Sequence, residues 1–188
     1  MQQIDLTSLE KAKASGKFTR IGSVATLNNH LNQIYNLLGS QIKDYVVFFR
    51  GHADSDFIVE PSIYRVNPIT RASFITKEEE LCTGIIRECP TEFPESMTAF
   101  EMLVKMQHYE LPTRLLDITE NPLVSLYFAA QEPLVKSHDG QILVYFVHKS
   151  DIVNFNNLQV GALSSISFLP ANLLKAATTP QALKDLFF

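Results

Sequence analysis

Apolar residues recur at every third or fourth position between Val24 and Leu38, which is the spacing of one face of a helix. Ser23 precedes this run, and serine is a favoured N-cap because its hydroxyl accepts a hydrogen bond from a first-turn amide. Gly39 follows the run and can adopt the left-handed conformation in which many helices end. The pattern therefore predicts an amphipathic helix over residues 24–38.

Two short runs of the chain are apolar without a helical period. Residues 44–49 are mostly β-branched or aromatic, so they predict a buried strand that delivers Arg50 and Gly51 at its end. Residues 141–148 predict a second buried strand after the turn signal Asp139-Gly140. A weaker pattern indicates a third strand over residues 163–168.

Capping residues mark further helices. Thr76 with Glu79, and Thr98 with Glu101, have the spacing of a capping box, in which each side chain bonds the other residue's backbone amide. Asn121 followed by proline predicts the start of a helix over residues 123–131. Because that segment is apolar on nearly every side, we expect it to be packed all round. A short helix is also expected after residues 179–180.

This order of elements, with helices between the strands, predicts an α+β (mixed α/β) fold with a small central sheet flanked by helices. The chain has 188 residues, of which 46% are hydrophobic and 19% charged, and these values suit a single compact domain. We assign residues 1–22 to a polar lead-in and residues 23–188 to the domain.

Charge, hydropathy and the placement of the cysteines argue against several kinds of protein. The net charge is −4 and Lys and Arg do not cluster, so we expect no general binding to nucleic acids. Because the chain shows no signal peptide and no apolar run long enough to cross a bilayer, we expect a cytoplasmic protein that does not bind membranes. Cys82 and Cys89 lack metal-type spacing, and both are expected to be reduced and buried.

Two segments carry a family resemblance. The first is the aromatic-Arg-Gly tripeptide Phe49-Arg50-Gly51, and the second is QHYELPTRLLDIT over residues 107–119, with NPLVSLYFA following from residue 121. Together they resemble the FRG domain family, most strongly over residues 48–148. Members of that family carry Gln-His-x-Gly-Leu-Pro-Thr-Arg-Leu-Leu-Asp-Trp-Thr in the second segment, and they occur in bacteria and phages, often in mobile or defence-like settings.

The chain departs from the family pattern at three positions. Glu110 stands where Gly is expected, Ile118 where Trp is expected, and Ser125 where Ala is usual. The resemblance itself implies no settled biochemical activity, so the function has to be argued from the polar residues of the two segments.

The two arginines of these segments are the centre of the candidate site. Arg50 and Arg114 each carry a planar guanidinium that can hold a carboxylate or a phosphate by two hydrogen bonds. Either arginine could instead pair with Asp117 and join strand to loop. His108 suits a general base, and it also suits a structural hydrogen bond to a helix-end carbonyl. We predict that Arg50, Arg114 and Asp117 line one cleft.

The full set of candidates follows from the same two segments. The candidate catalytic residues are Arg50, His108, Arg114, Asp117 and Glu120, and the candidate ligand-binding residues are Gly51, Asp54, Gln107, Thr113, Thr119 and Asn121. An anion is expected at the start of the helix that Asn121 caps, because free amides and the helix dipole favour negative charge there. No metal-ligand spacing is present, so no metal site is predicted.

Three functions remain open from the sequence. The first is an enzyme that binds NAD or another nucleotide, because the aromatic-Arg-Gly strand end and residues 126–129 loosely resemble motifs of ADP-ribosyltransferases, with Glu120 or Glu101 as the catalytic glutamate. Such an enzyme would act in phage or mobile-element defence. The second is a non-catalytic module for a small anionic ligand or a protein partner. The third is a metal-dependent nuclease that uses His52, Asp54 and Asp56.

Overall fold

A computed structural model describes residues 20–67, 69–131 and 138–170, together with residues 7, 10, 11 and 173. This part of the chain contains five α-helices, which are α1 (Val24–Leu38), α2 (Glu78–Glu88), α3 (Ala99–His108), α4 (Pro122–Ala129) and α5 (Leu158–Ser165). Its strands β1 (Tyr45–His52) and β2 (Gln141–His148) form an antiparallel pair. Short 3₁₀ turns lie at Gly39–Asp44, Ser62–Tyr64, Phe74–Lys77, Lys149–Asp151 and Ile166–Phe168. The predicted α+β class is confirmed.

The chain divides into two units. Unit 1 comprises Met1–Phe57 and Ile118–Ile152, and unit 2 comprises Ile58–Asp117 and Val153–Phe188. The predicted lead-in over residues 1–22 lies mostly outside the described residues, as does the helix expected after residues 179–180. Within the described part of the chain, none of the helices has both the length and the apolarity that crossing a bilayer requires.

Unit 1 has its core between α1 and the sheet. Leu27 and Leu31 of α1 pack with Phe49 of β1, and all three side chains are buried. The ends of α1 are those that the sequence predicts, because the Ser23 hydroxyl accepts a hydrogen bond from the Thr26 amide at 3.1 Å. Gly39 ends the helix at a φ of 53°.

Helix α4 packs against β1 on one side only. Ser125 is fully buried and Leu126 contacts the unit 1 core, but Tyr127 is 65% exposed and Phe128 53% exposed. The prediction that this helix is packed all round is therefore wrong. An apolar composition shows that no side of the helix is strongly polar, but it does not show which sides are covered.

Unit 2 has a separate core in which Cys82, Phe93, Leu103 and Met106 are buried together. The capping box at the start of α3 is present, since the Thr98 hydroxyl accepts from the Glu101 amide and the Glu101 carboxylate accepts from the Thr98 amide.

Two predicted features of unit 2 are wrong. Thr76 does not cap a helix, because it lies inside the 3₁₀ turn Phe74–Lys77 and α2 begins at Glu78. The strand expected at 163–168 is the end of α5 and a 3₁₀ turn, because Asn157 starts a helix there by accepting a hydrogen bond from the Gln159 amide at 2.8 Å.

The end of α3 explains why the family has Gly where this chain has Glu110. The Leu111 amide donates to the Met106 carbonyl and the Glu110 amide donates to the Gln107 carbonyl, each at 3.0 Å, which is the Schellman pattern of helix ends. This pattern requires a left-handed residue after the cap, and Glu110 has a φ of 62°. Glycine adopts that conformation without the strain caused by a Cβ atom.

Replacing Glu110 by Gly is expected to stabilise the protein by about 0.5–1 kcal/mol, because the left-handed position loses its Cβ. Urea unfolding measures the change. Glu110→Ala is the matched control, since it removes the charge and keeps the Cβ, and it should bring no such gain. A loss of stability in Glu110→Gly would contradict the strain at this position.

The two cysteines differ in exposure, so the expectation that both are buried holds for Cys82 and is wrong for Cys89. Burial, followed by the nearby negative charge of Glu78, raises the pKa of the Cys82 thiol to about 12. The thiolate is the reactive form of cysteine, and at neutral pH Cys82 is almost entirely the thiol.

Iodoacetamide is therefore expected to modify Cys89 and to spare Cys82 in the folded protein. Mass spectrometry should show one adduct under native conditions and two adducts after denaturation in urea. Rapid modification of Cys82 in the folded protein would contradict its place in the unit 2 core.

Candidate functional site

Arg50 and Gly51 lie on opposite faces of the sheet, because successive residues of a strand alternate between its two faces. Phe49 lies in the core, and Gly51 shares its face. A Cβ atom at Gly51 would overlap the Ser125 carbonyl of α4 and lie 2.8 Å from the Ala129 amide nitrogen. Gly51 therefore lets α4 approach the sheet, and Arg50 lies on the opposite face.

Arg50 is held by the next residue on its own face. Its Nε donates a hydrogen bond to Nε2 of His52 at 2.9 Å. His52 is buried, and its ring meets the ring of Phe57 edge to face at 6.1 Å between centroids. Arg50 is half-buried, so its guanidinium is fixed at the end of β1.

A carboxylate cluster follows the strand. The buried Asp54 accepts hydrogen bonds at Oδ1 from the Asp56 amide at 2.9 Å, and the same oxygen lies 2.8 Å from Nδ1 of His138. Oδ2 of Asp56 lies 3.6 Å from the same His138 nitrogen. The hydrogen bond from Asp54 raises the pKa of His138 above its ordinary value. When it is protonated, the His138 imidazole neutralises part of the charge of the two carboxylates.

These three side chains are also the group that could share a divalent cation, since their ligand atoms lie within 4.8 Å of one another in the described part of the chain. The ion pair between Asp54 and His138 accounts for the arrangement by itself. His138 was not among the predicted residues, because it lies 84 positions from Asp54 and no local motif surrounds it.

The other predicted residues of unit 1 lie on the segment beside β1. Thr119 and Phe49 exchange two backbone hydrogen bonds, of 2.9 and 2.7 Å, as an antiparallel bridge. Glu120 follows the bridge and is exposed, and this pairing sets its backbone beside Phe48, on the strand that carries Arg50. Asn121 caps α4, with Oδ1 accepting from the Leu123 amide at 2.9 Å. The anion expected at this helix start remains a prediction.

In unit 2, Gln107 organises the LPTRLLD segment. Its Nε2 donates to Oδ2 of Asp117 at 2.6 Å, and its Oε1 accepts from the hydroxyl of Thr113 at 2.7 Å. Thr113 is buried, and its amide donates to the Ser62 hydroxyl at 3.1 Å. These contacts fix the backbone of the segment, so they give Gln107 and Thr113 a structural role.

Arg114 is engaged in an ion pair. Its Nε and Nη2 bond the carboxylate of Glu78 at 2.8 and 2.5 Å, and its Nη1 donates to the Tyr64 hydroxyl at 2.7 Å. Glu78 is buried, and the guanidinium also lies 5.7 Å from the centroid of the Tyr64 ring. The sequence suggested that Arg50 or Arg114 pairs with Asp117, and the carboxylate that pairs with Arg114 is that of Glu78, 36 residues away in sequence.

His108 is the last residue of α3 and is exposed. The roles suggested for it, as a general base or as a structural residue at the helix end, remain predictions. The cleft predicted for Arg50, Arg114 and Asp117 also remains a prediction, since Arg50 belongs to unit 1 and the other two residues to unit 2.

The sequence matches the model of one known protein family. The model of the FRG domain matches residues 45–138, which is half of the 188-residue chain. The chain belongs to the FRG domain family. No curated protein and no solved structure matches the chain.

The FRG match begins at the first residue of β1 and ends at His138, so β2 lies beyond it, although we expected the resemblance to reach residue 148. Within the FRG domain, the two signature segments have different roles. The second segment holds Arg114 in an ion pair and Gln107 in a hydrogen-bonded loop. The first segment sets Arg50 near the end of β1, where its Nε bonds His52.

Proposed function

We propose that this FRG domain binds a small anionic ligand of the nucleotide class, such as NAD, and that Arg50 anchors its phosphates. The observation that carries the proposal is the hydrogen bond from Arg50 Nε to His52 Nε2. This contact orients the guanidinium through a neutral ring, so the contact itself leaves the positive charge in place. A preorganised guanidinium matches phosphate in a bidentate fork.

Arg114 is less suited to hold the ligand. It faces the buried carboxylate of Glu78, which matches its charge and occupies the Nε and Nη2 donors. A phosphate at Arg114 would have to compete with that carboxylate. We therefore assign a structural role to Arg114.

The same site suits ADP-ribosyl transfer as the reaction. The glycosidic bond between nicotinamide and ribose would break, nicotinamide would leave with the bonding electrons, and an acceptor would attack the ribose carbon. A carboxylate would stabilise the positive ribose and take the acceptor's proton. Glu120 is our candidate for that carboxylate, because its backbone lies beside the strand that carries Arg50. Defence against phages or mobile elements is the setting that we propose for such an enzyme.

The two alternative functions, a non-catalytic binding module and a metal-dependent nuclease, would use different residues. A non-catalytic module would bind the nucleotide or a protein partner through Arg50 and leave the ligand intact. A metal-dependent nuclease would use Asp54 and Asp56 with His138, and not His52 as the sequence suggested, because His138 is the histidine whose nitrogen faces both carboxylates.

Thermal unfolding with NAD, pyrophosphate or Mn²⁺ separates these functions. A ligand at one hundred times its Kd stabilises the folded state by about 2.7 kcal/mol, which raises the melting temperature measurably. We expect NAD and pyrophosphate to stabilise the wild-type protein, and incubation with NAD to release nicotinamide if the domain is an enzyme. Arg50→Lys should remove the stabilisation because lysine lacks the planar fork.

Stabilisation by Mn²⁺ alone would favour the nuclease. Stabilisation by NAD that persists in Arg50→Lys would contradict Arg50 as the anchor. Arg87→Lys is a matched control, because Arg87 is a second arginine that lies on α2, in unit 2. It should leave the response to NAD unchanged.

A further inference from the structure

We infer that His52 is the positioning residue of Arg50, and that its imidazole is held as the tautomer with the proton on Nδ1. This inference deepens the proposed function, on which its binding arm rests. His52 need not touch the ligand, since its role is to set the direction in which the guanidinium points.

The tautomer follows from the direction of the hydrogen bond. The Nε of arginine carries a hydrogen and can only donate, so Nε2 of His52 must present a lone pair. A neutral imidazole with a lone pair on Nε2 carries its hydrogen on Nδ1. The opposite tautomer would point N–H at N–H across 2.9 Å.

Burial makes this contact restrictive. His52 is only 6% exposed, and the Phe57 ring contacts its imidazole edge to face. The ring therefore has little freedom to turn. Because the Arg50 guanidinium is hydrogen-bonded to this ring, its orientation is restricted as well. A free arginine side chain loses rotamer entropy when a ligand fixes it, and a guanidinium that is already oriented loses less.

The hydrogen bond from Arg50 fits an uncharged His52, because a positively charged imidazole would have no lone pair to accept it. Asp54, Asp56 and His138 form a separate cluster in the described part of the chain. These three are engaged with one another, with His138 Nδ1 at 2.8 Å from Asp54 and 3.6 Å from Asp56. His52 thus serves as an acceptor for Arg50, whereas His138 is the partner of the carboxylates.

Two substitutions separate an acceptor from a packing residue. His52→Gln keeps an acceptor at about the reach of Nε2, and His52→Leu keeps apolar volume without an acceptor. If His52 positions Arg50, His52→Gln should bind NAD within about threefold of wild type, and His52→Leu should bind about tenfold or more weakly. Equal losses in both variants would overturn the acceptor role.

The closing experiment is a long-range ¹H–¹⁵N NMR spectrum of the ligand-free full chain, labelled with ¹⁵N and recorded at neutral pH. The result expected for His52 is the Nδ1–H tautomer, with an Arg50 Nε–H signal that exchanges slowly, remains in His52→Gln and is lost in His52→Leu. A proton on Nε2 of His52 would overturn the inference whether or not NAD binds. The expected spectrum together with no binding of NAD would uphold the positioning role and refute the proposed ligand.

Discussion

Gly51→Ala is expected to destabilise the protein by about 3 kcal/mol or more, which is a large part of the roughly 5–15 kcal/mol by which domains are ordinarily stable. The added Cβ would overlap the backbone of α4 at Ser125 and Ala129, and backbone atoms cannot move aside as the end of a flexible side chain can. Gly140→Ala should have a similar effect, because its Cβ would overlap the Ala129 carbonyl. Urea unfolding followed by circular dichroism measures both losses.

Gly84→Ala is the matched control for these variants. Gly84 lies inside α2 with open space where its Cβ would stand, so alanine should stabilise the helix by about 0.5–1 kcal/mol. If Gly51→Ala were as well tolerated as Gly84→Ala, α4 could not lie as close to β1 as described. The result would then remove the structural reason for the glycine of the Arg-Gly signature.

Arg114→Met is expected to destabilise unit 2 by about 3–5 kcal/mol, because it leaves the buried Glu78 carboxylate without its ion-pair partner. The double variant Glu78→Met with Arg114→Met should recover most of that loss. Replacing both charges by apolar groups of similar volume removes the uncompensated charge as well as the attraction. Denaturant unfolding of the single and double variants gives the coupling free energy.

The same set of variants can also contradict the ion pair between Glu78 and Arg114. If the losses in Glu78→Met and Arg114→Met simply add in the double variant, the two side chains do not interact in the folded protein. Arg114 would then again be a candidate for holding a ligand.

Local patterns predicted the elements whose signals lie within a few residues. The Ser23 N-cap of α1 and the Thr98 capping box are such signals, since each joins a side chain to an amide three positions away. The strands are present as well, although β1 extends to His52 and so includes Arg50 and Gly51 within the strand. These predictions depend on short-range hydrogen bonds and apolar runs, which the sequence shows directly.

The candidate site depends on contacts between residues distant in sequence, and those were not predictable. Arg114 forms an ion pair with Glu78, 36 residues away in sequence, and Asp54 contacts His138, which is 84 residues away. Many carboxylates could satisfy a guanidinium, so sequence alone cannot choose among them. Glu110 is a different case, because its departure from the Gly of the family pattern was visible in the sequence, and the reason for that Gly is the left-handed backbone that the structure shows.

The most direct test of the central claim is a calorimetric titration of NAD into three proteins, which are the wild type, Arg50→Lys and the Glu78→Met, Arg114→Met double variant. We predict that the wild type and the double variant bind with similar affinity. Arg50→Lys should bind at least about tenfold more weakly, a loss of about 1.4 kcal/mol, while circular dichroism shows that it remains folded. Equal binding by the wild type and Arg50→Lys, or no binding by the wild type, would contradict the account.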